Sequence, residues 1–180
     1  MNPATDLEAW QRRLLDVLQG DLAAGGAPTD APARPVVRRE VLVFDLGGES
    51  FGIDIEAIAE ILLPRPVTPL PRVPRFVLGV VSLRGTVLPV LDLCRRLGVT
   101  AADTARSSRI LVLRDGDESV GFWVERVRGV VRFAAGELEP TEFSSAVDPR
   151  FLEGIGYDRR GALVAVLRAE ALVDFRLEET

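Results

Sequence analysis

The chain has 180 residues, with 22 Lys+Arg against 27 Asp+Glu, a formal net charge of −5, 47% hydrophobic residues and one cysteine, a length that suits one domain or two small ones. All 22 basic residues are arginine and histidine is absent, which excludes Ser-His-Asp and Cys-His nucleophiles, a Schiff-base or Walker lysine, and an imidazole zinc site. Cys94 alone forms neither a disulfide nor a thiolate cluster, and the acidic balance argues against a sequence-independent grip on nucleic acid.

Met1 to Gly20 lacks the basic n-region and small-residue cleavage site of a secretory signal. No apolar run approaches the ~18 residues of a membrane span, so a cytoplasmic location is expected. Leu7, Trp10, Leu14 and Leu18 recur at helical spacing and predict a short amphipathic helix between Asp6 and Gln19. The Ala, Pro, Gly and Asp-rich stretch from Gly25 to Pro35 reads as a linker. Residues 1–37 are thus an N-terminal helix plus flexible linker, and 38–176 the folded domain.

That domain is internally duplicated. Val41–Ile61 and Ile110–Val130 align without a gap over 21 positions, with seven identities that include Gly47/Gly116, Glu49/Glu118, Ser50/Ser119 and Gly52/Gly121. Seven further positions pair apolar with apolar. Pro74-Arg-Phe76 returns as Pro149-Arg-Phe151, and Arg84-Gly85 as Arg160-Gly161, bounding repeats of roughly 41–93 and 110–170. Each copy opens with an apolar strand, a Gly-containing turn and a second strand, the signature of a hairpin. Segments 79–83, 86–91, 151–156 and 162–167 supply further strands, and short helical pieces are expected at 55–60, 92–97 and 168–174. The economical architecture is all-β, one small antiparallel barrel per copy, with a pseudo-two-fold between them and a groove at their junction.

The carboxylates Glu49, Asp54, Glu56, Glu60 and Asp92 fall on polar strand faces or turns, where solvation is their expected role. Arg38-Arg39 and Arg95-Arg96 read as solvated clusters, and Cys94 as a semi-buried small apolar residue. No G-x-G-x-x-G leads from strand to helix, so a nucleotide fingerprint is missing. Arg34-Pro-Val-Val-Arg38 and Ser82-Leu-Arg-Gly85 resemble parts of cyclic-di-GMP-binding PilZ barrels, although Val80 stands where that family has Asp or Asn. A ligand-binding regulatory barrel of that kind is the alternative reading.

A more extensive resemblance covers Val41 to Phe175. Leu42-Val-Phe-Asp-Leu-Gly-Gly-Glu-Ser-Phe-Gly-Ile-Asp-Ile55, Glu60-Ile61, Thr68-Pro-Leu-Pro71, Pro74-Arg-Phe-Val-Leu-Gly-Val-Val-Ser-Leu-Arg-Gly85 and Pro89-Val-Leu-Asp-Leu93 together resemble the CheW family of chemotaxis coupling proteins. The resemblance implies two SH3-like five-stranded barrels and no catalytic activity, and no cofactor or metal is expected. It implies two partners, a CheA-type histidine kinase bound through its CheW-like regulatory domain, and the cytoplasmic tip of a methyl-accepting chemoreceptor. The protein would be recruited to membrane-associated receptor arrays without inserting in the bilayer or binding nucleic acid. Receptor-facing positions carried over from the family are Ile55, Ile58, Glu60, Gly79, Arg84, Gly121, Val127 and Val130, with Ser82, Leu83 and Gly85 completing the turn motif. Ile55, Ile58, Ile61, Gly79, Gly121, Val127 and Val130 would line an apolar groove. Ser82 replaces the family's usual Asn, Cys94 its Arg, and Trp123 a smaller aliphatic residue, which makes Trp123 a candidate partner-facing anchor.

Overall fold

In β1 (Arg38–Leu46), alternate residues go to opposite faces, yet Val41, Leu42, Val43 and Phe44 are all buried. A strand of that kind must be covered on both sides. The structure, a computed structural model describing residues 38–102, 107–116, 118–140 and 147–174, shows how. The expected N-terminal helix and linker lie outside the described residues.

β1 is followed by β2 (Glu49–Asp54), β3 (Ile58–Leu62), β4 (Val77–Leu83) and β5 (Thr86–Asp92). The second copy supplies β6 (Arg109–Asp115), β7 (Glu118–Val124), β8 (Arg126–Ala134), β9 (Leu152–Tyr157) and β10 (Leu163–Leu167). Two short helices, α1 (Leu93–Leu97) and α2 (Ala169–Val173), follow β5 and β10. The strands form two five-stranded sheets, in the orders β8-β1-β2-β10-β9 and β3-β6-β7-β5-β4.

Replacing each strand by its repeat equivalent converts one order into the other, so the sheets are related as the duplication requires. A repeat does not build its own sheet, however. Each sheet takes the opening hairpin of one copy and the last three strands of the other, and the joints are parallel pairs, β2 with β10 and β5 with β7. The expectation of one antiparallel barrel per copy is corrected on both points. Local hairpin signals identify strands but carry no information on which copy's hairpin completes a sheet.

The exchange creates three apolar clusters. Val41, Val43, Phe133, Val164 and Val166 fill the inside of the first sheet. Leu62, Val81, Leu88, Val90, Ile110 and Val112 fill the second. The alternate residues, among them Leu42, Phe44, Phe51, Ile53, Leu111, Leu113 and Phe122, come from both sheets and form one central cluster. The junction between the sheets is therefore a packed core, not the open groove expected. Each fully buried Phe or Leu there contributes about 1.5–3 kcal/mol.

Turn chemistry explains the hairpins. Gly47 and Gly48 both have positive φ (59° and 87°), the requirement of the two-residue type I′ turn. Ile55–Ala57 is only a single 3-10 turn, capped by the Asp54 carboxylate, which accepts the Glu56 N–H at 3.0 Å. The helix expected at 55–60 gives way at Ile58 to β3, whose residues pair with β6. Asp92 caps α1, accepting the Arg95 N–H, and Gly98 closes it at φ 74°.

Two expected solvated arginines are engaged instead. Arg39 bridges Asp54 at 2.7 Å and Glu153 on the far edge strand, and these carboxylates hold its guanidinium in the charged form, Glu153 foremost, against the cost of burial. Arg96 is buried, donates to the Asp174 carbonyl, and its guanidinium lies 4.7 Å from the Phe76 ring centroid and 5.1 Å from that of Phe151. These two phenylalanines are the equivalent residues of the two copies, so one cation contacts both halves of the duplication.

Cys94 is buried on α1, its S–H aimed at Glu125 Oε1 at 3.7 Å. Glu125 also accepts the Gly47 N–H, tying the β1–β2 turn to α1. Burial first, then the neighbouring Glu125 carboxylate, pushes the thiol up to about 12.

Because each sheet takes strands from both copies and the two sheets share a core, thermal unfolding followed by far-UV circular dichroism and by Trp123 fluorescence in a Trp10→Phe background is expected to give coincident transitions. Two resolved steps would contradict the shared core. Phe122→Ala should cost about 3–5 kcal/mol in chemical denaturation. For Cys94, the raised folded-state pKa means that the thiol's stabilising contribution, full below its ordinary value of 9.0, is lost as pH rises towards about 12. Stability should fall across that window, and Cys94→Ala should flatten the slope.

Candidate interaction site

One transverse row in the second sheet links three of the residues singled out in the sequence. Glu60 on β3 pairs with Val112, Val112 with Gly121, Gly121 with Val90, and Val90 with Gly79 on β4. The first sheet repeats the row as Gly129, Val43, Gly52, Val166 and Gly154. The glycines are there for space. A Cβ on Gly121 would come 2.8 Å from Ile110 Cγ2, and one on Gly79 only 2.1 Å from the Thr68 carbonyl oxygen. Gly79 also has φ 140°, which side chains resist. Both glycines are therefore packing positions inside the second sheet, and neither lines an open apolar groove.

Thr68 reaches Gly79 because residues 68 and 80 form an isolated antiparallel bridge, Thr68 N–H to the Val80 carbonyl at 2.8 Å and Val80 N–H to the Thr68 carbonyl at 2.9 Å. Glu139 makes the same bridge to Ile155 in the other copy, beside Gly154. In each copy a loop segment is laid on the edge strand where a glycine leaves room for its backbone.

The row ends in its one charged member. Glu60 accepts a hydrogen bond from Arg84 Nη2 at 3.0 Å. Glu60 lies on one edge strand and Arg84 just beyond the other, so the pair spans the seam that no ladder closes. Arg84 and Gly85 are the two central residues of the β4–β5 turn, with φ 51° and 85°. A type I′ turn prefers Asn, Asp or Gly at the first of these positions, so Arg84 holds a left-handed backbone against its intrinsic preference. Its side chain is 79% exposed and that of Glu60 26%. A pair so wet contributes at most about 1 kcal/mol to stability. Its effect is to hold an exposed guanidinium beside Glu60 at the edge of the second sheet.

The second copy has no counterpart. The repeat alignment sets Gly129 against Glu60, and Arg160 lies in a longer turn organised by the Asp158 carboxylate, which accepts the N–H groups of Arg160 and Ala162. Those two N–H groups also hold Asp158 below its ordinary value. The charged site thus belongs to one barrel only.

Of the remaining sequence-derived residues, Ile58 and Ile61 on β3 and Val127 and Val130 on β8 are half-buried against the central cluster, on the two edge strands that flank it. Ile55 is buried. Ser82 is exposed and pairs with Val87, while Leu83 packs on the second sheet's own cluster. Trp123 is half-buried against that same cluster. Arg96 and Glu125 escaped sequence reasoning. Arg96 stands where the other copy has Leu172, a signal available in the alignment, whereas Glu125 aligns with the exposed Glu56 and nothing in the sequence separates them. Among the described residues no group of three or more His, Cys, Asp or Glu is placed to hold a metal ion, and no helix is long and apolar enough to cross a membrane.

Comparison with known proteins agrees with the duplicated two-sheet architecture. Residues 40–176 match the family model described as CheW-like domain. The chain is 35% identical to the probable chemotaxis protein CheW of Rhizobium etli over 136 residues, covering 74% of this chain and 86% of that protein. It is 34% identical to protein FrzA of Myxococcus xanthus over 125 residues, 69% of this chain and 77% of that one. Among solved structures, the scaffolding protein TtCheW from Thermoanaerobacter tengcongensis superposes with a TM-score of 0.72 at 26% identity, covering 83% of this chain and 96% of that chain. A match over 137 residues leaves almost none of the described chain for a PilZ-like barrel. With the domain match, the identities and the superposition in agreement, the chain belongs to the CheW-like family, the non-enzymatic scaffold and coupling proteins of chemotaxis.

Proposed function

We propose that this protein is the adaptor that couples methyl-accepting chemoreceptors to a CheA-type histidine kinase, working in the cytoplasm at membrane-associated receptor arrays. The observation that carries the reading is the Arg84–Glu60 pair. An exposed arginine is held at 3.0 Å from its carboxylate, on a turn where its backbone is disfavoured, in one copy of an otherwise repeated architecture. A stability device would have no reason to be so exposed or so asymmetric, whereas a preset guanidinium suits recognition of a receptor carboxylate.

Adaptor action needs at least two faces. The half-buried Ile58, Ile61, Val127 and Val130 add apolar area along the edge strands that flank the central core, which suits the apolar face of an amphipathic helix. The kinase's CheW-like domain would engage a different surface. Two modest contacts on one rigid body convert the second binding step into an intramolecular one, so an array gains stability without a single tight interface. Signal transfer then requires that the contacts differ in strength between the kinase's active and inactive states. Gly79 and Gly121 act in this scheme by positioning: they allow the close packing of the second sheet in the row that ends at Glu60.

The experiment is a titration of the full chain against a receptor cytoplasmic fragment and, separately, against the kinase's CheW-like domain. Arg84→Glu should weaken receptor binding by roughly tenfold or more while leaving kinase binding intact. Combining it with Glu60→Arg should restore part of the loss if the pair itself is read. Gly79→Asp should lower stability together with receptor binding, because its side chain meets the Thr68 backbone. Failure of the wild-type chain to bind either partner would refute the coupling reading.

A further inference from the structure

The segment from Pro64 to Arg75, Pro-Arg-Pro-Val-Thr-Pro-Leu-Pro-Arg-Val-Pro-Arg, contains five prolines, three arginines and no acidic residue, in a chain whose net charge is −5. Every residue from Thr68 to Arg75 is exposed, including the apolar side chains of Leu70 and Val73. The segment is nonetheless held in place. Thr68 is bridged to Val80, the Val77 N–H donates to the Pro74 carbonyl, and Arg95 donates to the carbonyl of Arg75.

Arg65 and Arg72 are in no ion pair among the described residues, unlike Arg84 with Glu60 and Arg95 with Asp92 nearby in sequence. Arg72 is the second non-glycine residue with positive φ, at 59°, immediately after Pro71, where a proline-led turn ordinarily carries Gly. The only two such residues among those described are thus exposed arginines, Arg72 and Arg84, and both flank β4. At both positions glycine would relieve the backbone, so the side chain has been kept at a cost in strain.

Resting on the coupling reading above, we propose that this proline-arginine loop is a second docking element for the receptor tip, recognising an acidic surface with an apolar notch. Arg65 and Arg72 would meet its carboxylates, and Leu70 and Val73 its apolar part. Three features support this occupant. Exposed arginines in a segment with no acid of its own leave a basic patch that is complementary to an acidic partner. Prolines pre-set an extended backbone, so little order is lost on binding. The loop is also continuous with the receptor-assigned residues, because its Thr68 carbonyl lies directly against Gly79 and its bridge grips the strand that leads to Arg84. An anionic membrane is the less favoured occupant, since two exposed apolar side chains and three arginines on a net acidic protein give a weak surface anchor.

The test uses the full chain and the same receptor fragment, with the variants Arg65→Glu/Arg72→Glu, Leu70→Ser/Val73→Ser and Arg72→Gly. At about 50 mM salt the double charge reversal should lose roughly tenfold or more in receptor affinity, the gap should shrink at about 500 mM, and kinase binding should be unchanged. Leu70→Ser/Val73→Ser should weaken receptor binding in a salt-independent way. Arg72→Gly should raise the Tm and yet weaken receptor binding, a combination that a merely structural arginine would not give. Wild-type binding with unaltered variants overturns the proposal and leaves the coupling reading standing. The proposal is equally overturned if the loss appears with the kinase domain, with anionic vesicles, or in self-association by sedimentation. Absence of wild-type receptor binding removes both.

Discussion

The parallel pairings of β2 with β10 and of β5 with β7 are the constraint from which the rest of the molecule follows. Each joins the opening hairpin of one repeat to the closing strands of the other, and so obliges both repeats to fold together. Once the hairpins are exchanged, β1 and β6 are covered on both faces. Their alternate residues must then serve an inner and a central cluster at once, which is why Val41-Leu-Val-Phe44 and Ile110-Leu-Val-Leu113 are uninterrupted apolar runs. The glycine rows follow from the same geometry, because edge loops and neighbouring valines crowd the strands from within.

On this symmetric frame, the proposed receptor site falls on the departures from symmetry. Glu60 against Gly129, Arg84 in a two-residue turn against Arg160 in a longer one, and a basic proline-rich loop against a segment that carries Glu137 and Glu139 all distinguish the first copy from the second. Duplication supplies two equivalent platforms, and divergence at a few exposed positions makes their surfaces chemically different. Inside the fold the same divergence is structural: Arg96 in place of the equivalent Leu172 turns an apolar contact into a cation stacked between both copies' phenylalanines.

Much of this was legible in the sequence. The repeat, the Gly47-Gly48 and Arg84-Gly85 turns, the four strand segments at 79–83, 86–91, 151–156 and 162–167 to within two residues, and the helices after Asp92 and Arg168 are local features set by turn chemistry and alternation, whereas β3 was expected to be partly helix and β8 was not foreseen. What was not legible is long-range. Nothing local in the sequence says that β2 will choose β10, and the choice decides whether a valine faces a core or a groove. Residue lists drawn from a family resemblance share that blindness: Gly79, Gly121 and Glu60 fall in one row, Ile58, Ile61, Val127 and Val130 flank the central cluster, and Ile55 is simply buried. Arg39 and Arg96 looked solvated because an arginine's partner is a question of tertiary placement, and theirs lie 114 and 78 residues away.

The same exchange sets the tempo of folding. Phe51 on β2 must find Ala165 on β10, and Gly52 must find Val166, across more than a hundred residues of chain. Such pairings give a high contact order, and the entropy of closing so long a loop has to be met before the pairing returns any stability. On the ribosome, the first hairpin emerges long before its partner strand exists, and for that interval its apolar faces have only each other to cover them. A protein of this design therefore completes its first sheet last, once β10 has been made. The two halves of the duplication are not a pair of domains in sequence but complementary fragments of a single folding event.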